Sequence, residues 1–355
     1  MKKSPDPADE NYQEKILQDV SRTFALTIPC LPGGLRRVVS NAYLLCRIAD
    51  TIEDDNALNT LQTRDFSDKF IAVVAGELDP DSFASELYPL LSDQTLPAEH
   101  DLIKNTPAVI RITHSFNQNQ QKALLRCIRI MAQGMADFQE TESLDGLDDL
   151  PAMDNYCYYV AGVVGEMLTE LFCDYSAEIN QNRDQLMKLA VSFGQGLQMT
   201  NILKDTWDDR KRGACWLPRD IFLEFGVDLG NINSDAIPAS YAEGLAILIA
   251  VTRNHLENAL EYTLLLPAHE TGLRQFCLWA LGMAVLTLNK INKNRIFTSG
   301  NQVKISRRSV KGTILVANLF SGNNYMLRQV FRVSSRHLPK TGNREKLPNT
   351  GYSAL

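Results

Sequence analysis

Residues 35–55 read LRRVVSNAYLLCRIADTIEDD. Val38, Val39, Ala42, Leu45, Cys46 and Ala49 recur at steps of three and four, the period of an amphipathic helix. Pro32-Gly33-Gly34 punctuates its start. The apolar stripe then runs into acid. Asp50, Glu53 and Asp54 stand at i, i+3 and i+4, which a helix places on one face about 5–6 Å apart at Cβ. A second helical run, residues 185–210, ends in the same spacing with Asp205, Asp208 and Asp209.

Like charges so placed cost a helix a few tenths of a kcal/mol per pair. Facing the two motifs would cost more: one unit pair 4 Å apart is worth about 4 kcal/mol at an effective dielectric of 20. A solvated acidic face explains one such motif. It explains less well an apolar stripe leading into the first (Leu44, Leu45, Ile48, Ala49) and the polar set Gln198, Asn201 and Lys204 leading into the second. Mg²⁺ takes oxygen ligands, typically a few carboxylates plus phosphate oxygens. Bases lie beside both motifs: Arg47 before the first, and Lys204, Arg210, Lys211 and Arg212 around the second. Acid for metal and base for phosphate predict a pocket that holds diphosphate through Mg²⁺.

Elsewhere the pattern is also helical. Long runs are predicted at 120–141, 153–175, 239–266 and 271–293, short pieces between the prolines of 56–110, and a last helix from about Ser309. No run of period two predicts a strand. The expectation is one all-α domain over residues 11–335, a helical bundle around a central cavity, with residues 1–10 and 336–355 disordered. Apolar (45%) and charged (22%) fractions suit a globular protein, and a net charge of -6 argues against a nucleic-acid surface. The seven cysteines form no CxxC pair, so free thiols are expected rather than disulfides or zinc. There is no signal-peptide pattern, and the longest apolar run, 276–288, is short of the roughly 18–20 residues that span a bilayer. A cytosolic protein, with peripheral membrane contact if its product is greasy, is expected.

Four segments in order then resemble the squalene/phytoene synthase family. They are Ser21-Arg22-Thr23-Phe24; Tyr43 to Asp54; Tyr156-Cys-Tyr-Tyr-Val160-Ala161-Gly162-Val-Val-Gly165; and Gln198 to Asp209. The resemblance runs from about residue 21 to 222 and more weakly to about 320. It implies an all-α isoprenoid-synthase fold and the head-to-head joining of two prenyl diphosphates, here farnesyl diphosphate. It implies Asp50, Glu53, Asp54, Asp205, Asp208 and Asp209 as metal ligands. It also implies Tyr156 near the reacting carbons, with Arg47 and Tyr43 in support. Ser21, Arg22, Gln198, Asn201, Lys204 and Arg210 are expected on diphosphate, and Phe24, Val160, Val164, Leu168 and Phe276 as the wall that shields a carbocation. Gly162 and Gly165 fit either a prenyl chain lying close to the helix or helix–helix contact.

Asp50-Thr-Ile-Glu53-Asp54 is nearer the form of squalene synthases than that of phytoene synthases. This implies a presqualene diphosphate intermediate reduced with NADPH, which Lys304 and Arg307 of Val303-Lys-Ile-Ser-Arg-Arg308 would help to hold. Two departures are plain. Ser306 stands where a base is expected, and Ala214 follows Gly213 where relatives have arginine, so Arg210 or Arg212 must supply that charge. The alternatives are a dehydrosqualene or phytoene synthase without the reduction, a class I terpene cyclase, and a non-catalytic helical scaffold.

Overall fold

The computed structural model describes residues 6–21, 23–139 and 142–341. Its long helices are α1 (Pro7–Val20), α2 (Gly33–Asp54), α3 (Thr60–Ala75), α4 (Gln118–Gln139), α5 (Leu150–Cys157), α6 (Val163–Tyr175), α7 (Arg183–Lys211), α8 (Tyr241–Leu265), α9 (Thr271–Lys293), α10 (Arg307–Phe320) and α11 (Asn324–Ser334). Shorter helices fill the gaps. Among the described residues there is no strand, only one isolated bridge between Leu147 and Pro218. The all-α expectation holds.

Two apolar cores make the bundle. One gathers α1 to α4 with α6; the other gathers α7, α8 and α9 with the C-terminal helices. Val160 and Phe193 pack against both, so the seam between the cores runs past them. Helices α6 and α7 close this seam through glycine. A Cβ on Gly165 would lie 2.2 Å from the Ala190 carbonyl oxygen, and one on Gly194 would lie 2.2 Å from that of Ala161. Helix–helix contact therefore accounts for Gly165. Gly162 likewise faces Val191 and the Tyr158 ring.

Several boundaries differ from the sequence expectation. Residues 7–10 belong to α1, because Asp6 caps it in a reciprocal box with Asp9 and buried Asp9 takes two bonds from Arg111, at 2.6 and 2.8 Å. That partner is 102 residues away, beyond any local pattern. The run 153–175 is not one α-helix: Tyr158–Gly162 is a π-helical turn between α5 and α6. Such turns absorb an extra residue and gather at functional sites. The last helical stretch is split in two at 321–323. Residues 336–341, expected to be disordered, pack instead, with Leu338 buried and Thr341 accepting a hydrogen bond from Asn254. Residues 1–5 and 342–355, also expected to be disordered, lie outside the described residues. All seven cysteines are free, six of them buried. Helix α9 is long and apolar enough to cross a membrane, contrary to the estimate from 276–288, yet it runs through the bundle with Arg274 fully buried.

Candidate active site

Helix α2 is buried almost all round. From Asn41 to Ile52 only Tyr43, Arg47 and Asp50 reach solvent, and Glu53 and Asp54 extend that row. Helix α7 shows the same design. Between Phe193 and Asp208 its accessible positions are Phe193, Leu197, Gln198, Asn201, Lys204, Asp205 and Asp208. A helix this deep exposes one stripe only where the bundle leaves space beside it. Both stripes carry apolar or aromatic residues at one end and the acid motif at the other. Val160, Ala161, Val164 and Leu168 form a third such row, along the π turn and α6. These three rows border an accessible trough with an acidic mouth.

At the mouth the two motifs are joined by Arg212. One guanidinium nitrogen lies 2.7 Å from Asp209, and another lies 3.4 Å from Asp54 on the opposite helix. Around it, Lys204 pairs with Asp205 at 3.0 Å and Lys211 with Asp208 at 2.8 Å. Arg47 is held from behind: it donates to the Tyr43 hydroxyl at 3.0 Å, which donates to the Val20 carbonyl at 3.1 Å. Arg47 lies 3.8 Å from Asp50 and 3.7 Å from Glu99.

The acids are electrostatically strained. Burial pushes the Asp50 carboxyl up to about 7, with Asp54 and Glu99 adding repulsion that Arg47 only partly offsets. Glu53 is raised well above its ordinary range by burial and by Asp54, Asp50 and Glu142. Burial also raises Asp209, and Arg212 opposes it. Carboxylates kept together against their own repulsion are the donor set a hard dication requires. Among the described residues no group of them is drawn together tightly enough to form a finished metal cage. Arg212 bonds to both sides of the gap instead. The residues fit Mg²⁺ by the chemistry of their donor set.

Tyr156 sits under this mouth. Its ring stacks on Trp216, with centroids 4.0 Å apart and planes 5° from parallel, and Phe138 meets it edge-on at 5.3 Å. Burial, and then the charges of Glu53, Asp54 and Asp209, raise its phenol well above the usual value. It is therefore a neutral O–H donor at any ordinary pH.

Other expected residues divide. Buried Ser21 accepts the Phe24 N–H at 2.9 Å, and Phe24 packs on Tyr43 with ring centroids 5.3 Å apart, so this segment roofs the Arg47 end. Arg22 lies outside the described residues. Val160, Val164 and Leu168 line the trough, but Phe276 is a core residue packed on Phe172. Arg210 is a correction: its guanidinium donates to the carbonyls of Leu144 and Ile232 and does not point into the mouth. Arg212 stands there in its place. Lys304 and Arg307 are both exposed, on a segment that folds against the second motif: a Cβ on Gly300 would lie 3.3 Å from both the Asp205 and Asp208 carboxylates. Ser306, where a base was expected, is the N-cap of α10 and accepts from Ser309 N–H. Sequence reasoning missed Glu99, Glu142 and Trp216, which reach the mouth from loops and short helices with no motif of their own.

An all-helical bundle with two acid motifs across an apolar trough has the architecture of the isoprenoid synthases. Comparison with known proteins narrows the class. The squalene/phytoene synthase family model matches residues 17–309, and the chain belongs to that family. It is 29% identical to a squalene synthase of Saccharomyces cerevisiae over 89% of this chain and 70% of that one. It is 28% identical to a squalene synthase of Botryococcus braunii over 92% and 68%. A solved TcSQS–ligand complex matches with a TM-score of 0.72 at 24% identity, covering 95% of this chain and 94% of the other. A ligand-bound dehydrosqualene synthase matches at 0.65 and 21%, covering 88% and 96%.

Proposed function

We propose that this protein is a squalene synthase. In this reading it joins two farnesyl diphosphates head to head, through presqualene diphosphate, and reduces that intermediate to squalene with NADPH. The observation that carries the reading is the pair of acid motifs bridged by Arg212, directly above Tyr156 and at the head of an apolar trough. Asp50, Glu53, Asp54, Asp205, Asp208 and Asp209 would hold Mg²⁺. When bound, the metal supplies positive charge against a departing diphosphate.

The chain's own residues supply the rest. Arg47, Lys204 and Arg212 offer charged donors to diphosphate oxygens, and Gln198 and Asn201 offer amides on the same face of α7. Arg212 has to leave at least one of its carboxylates for this, which couples ligand entry to opening of the bridge. Tyr156, held neutral and clamped by Trp216, can donate its O–H to a leaving oxygen and later accept a proton from carbon. Val160, Val164, Leu168 and Phe193 exclude water from an allylic cation. Lys304 and Arg307, exposed on the segment that folds against the second motif, would hold the phosphates of NADPH. We place the enzyme in the cytosol with peripheral contact to membrane.

Incubating the protein with farnesyl diphosphate and Mg²⁺, with and without NADPH, tests this reading. Squalene should form only with NADPH. The same C30 product in both tubes sinks the reductive half and leaves a dehydrosqualene-type synthase. A product that keeps a single prenyl unit sinks the head-to-head step.

A further inference from the structure

From Thr271 to Thr341 the chain has twelve Lys or Arg and no Asp or Glu, although the whole protein carries a net charge of -6. Within this stretch helix α10 is apolar on more than one side. Its inner side is fixed to α9: the Thr313 methyl fills the space over Gly282, and Trp279 donates to Asn318 at 3.0 Å. Its outer side leaves Leu315 69% and Leu319 70% exposed, one helical turn apart, with Val316 beside them. Arg308 and Lys311 continue the same row toward the N-terminus and are also exposed. Lys304, Arg307, Arg308 and Lys311 have no acidic partner among the described residues. Tyr325 and Val333 on the adjoining α11 are 70% and 60% exposed. Most of α10 and all of α11 lie beyond residue 309, where the family match ends.

We propose that the outer face of α10 docks this protein on an anionic lipid bilayer. Leucines would enter the acyl boundary while the basic end sits among the headgroups. Apolar area alone would suit any greasy partner. The exposed bases of α10, on a stretch that carries no acid of its own, select a negatively charged sheet, because each Lys or Arg near such a surface adds severalfold to binding. A second copy of this chain is the alternative occupant, and the vesicle experiment below separates the two. The proposal does not depend on the reaction assigned above.

Sedimentation of the full chain with vesicles tests it, using phosphatidylcholine alone and phosphatidylcholine mixed with phosphatidylglycerol. The parent should bind the mixed vesicles, bind neutral ones about tenfold less, and be released by salt. Leu315→Asp/Leu319→Asp should lower binding to the mixed vesicles about tenfold or more. Arg308→Glu/Lys311→Glu should lower it comparably while keeping the apolar face. Both double variants should keep the parent's circular dichroism and its turnover in detergent solution. Equal binding by the parent and both variants overturns the proposal, as does failure of the parent to bind. So does concentration-dependent self-association, in place of vesicle binding, that the leucine substitutions abolish.

Discussion

In the second acid motif each carboxylate has a basic partner on its own helix end. Lys204 serves Asp205, Lys211 serves Asp208 and Arg212 serves Asp209, all at 3.0 Å or closer. In the first motif Asp50 meets Arg47 only at 3.8 Å, and Asp54 is reached by Arg212 from across the mouth. The spacing of the acids is identical and the charge balance is not. The first motif is short of positive charge, and burial raises Asp50 and Glu53 together. The second brings its own cations. A metal that binds the carboxylates of the second motif frees those cations for diphosphate, whereas at the first motif it adds to the charge that Arg47 and Arg212 supply from farther away.

The largest expected effect falls on turnover. Asp50→Asn and Asp205→Asn should each lower kcat by about 10²–10³-fold or more with the fold retained, as loss of a preorganised electrostatic group does elsewhere. The comparison breaks if either variant keeps parental turnover. It sharpens if Mg²⁺ binding without substrate falls further in Asp50→Asn than in Asp205→Asn, which isothermal calorimetry reads directly.

Arg212→Gln comes next. It should lower kcat/KM by about 10–100-fold, in the range of a lost charge-assisted contact. Mg²⁺ alone should bind more tightly to this variant than to the parent, because the competing cation is gone, while inorganic diphosphate with Mg²⁺ binds more weakly. A merely structural arginine would not move these two affinities in opposite directions. Arg210→Gln should move neither, since its donors are engaged by the Leu144 and Ile232 carbonyls.

A smaller effect lies in metal-free stability. Glu53→Gln removes a carboxyl whose ionised form folding disfavours and should raise the melting temperature in chelator by about 1–2 °C, the size expected for roughly 1 kcal/mol in a chain this long. Asp209→Asn leaves Arg212 with less compensation and should lower it or leave it unchanged. Melts of both variants with and without Mg²⁺ check the sign. A rise in both would mean that the two motifs are equally overcharged.

These contrasts were only partly legible in the sequence. The helices were, because α2, α4, α7, α8 and α9 each present an apolar period long enough to outlast local noise. The six acids were legible as a set because two helices repeat one spacing. The π turn was not: it lies where α7 comes closest, at Gly194, and no periodicity reports a neighbour. Arg210 and Arg212 were left as alternatives for one charge. Their roles diverge because Arg212 stands at i+3 from Asp209, on the acid face of α7, while Arg210 faces the loops of Leu144 and Ile232. Glu99 and Glu142 reach the mouth by tertiary placement alone.

The last test is a pH dependence, and it separates the two motifs most cleanly. Burial raises Asp50 to about 7 in the folded, metal-free chain, from an ordinary 3.8 in the unfolded one. Between those values the folded chain keeps a proton that the unfolded chain has released. Metal-free stability must therefore fall as pH rises through that window and level off above it. Elsewhere in the fold, burial raises Asp154 to about 7 and lowers His255 to about 4. These two slopes oppose each other where they overlap, and both persist in an Asp50 variant. The difference between parent and Asp50→Asn thus isolates the first motif. Thermal melts in chelator from about pH 5 to 8 should show the parent losing stability relative to Asp50→Asn as pH rises. With Mg²⁺ the sign should reverse, because the metal binds the ionised carboxylate and the parent then gains with pH what the variant cannot. Superimposable profiles in chelator would show that the first motif carries no electrostatic burden, and the asymmetry between the motifs would have to be abandoned.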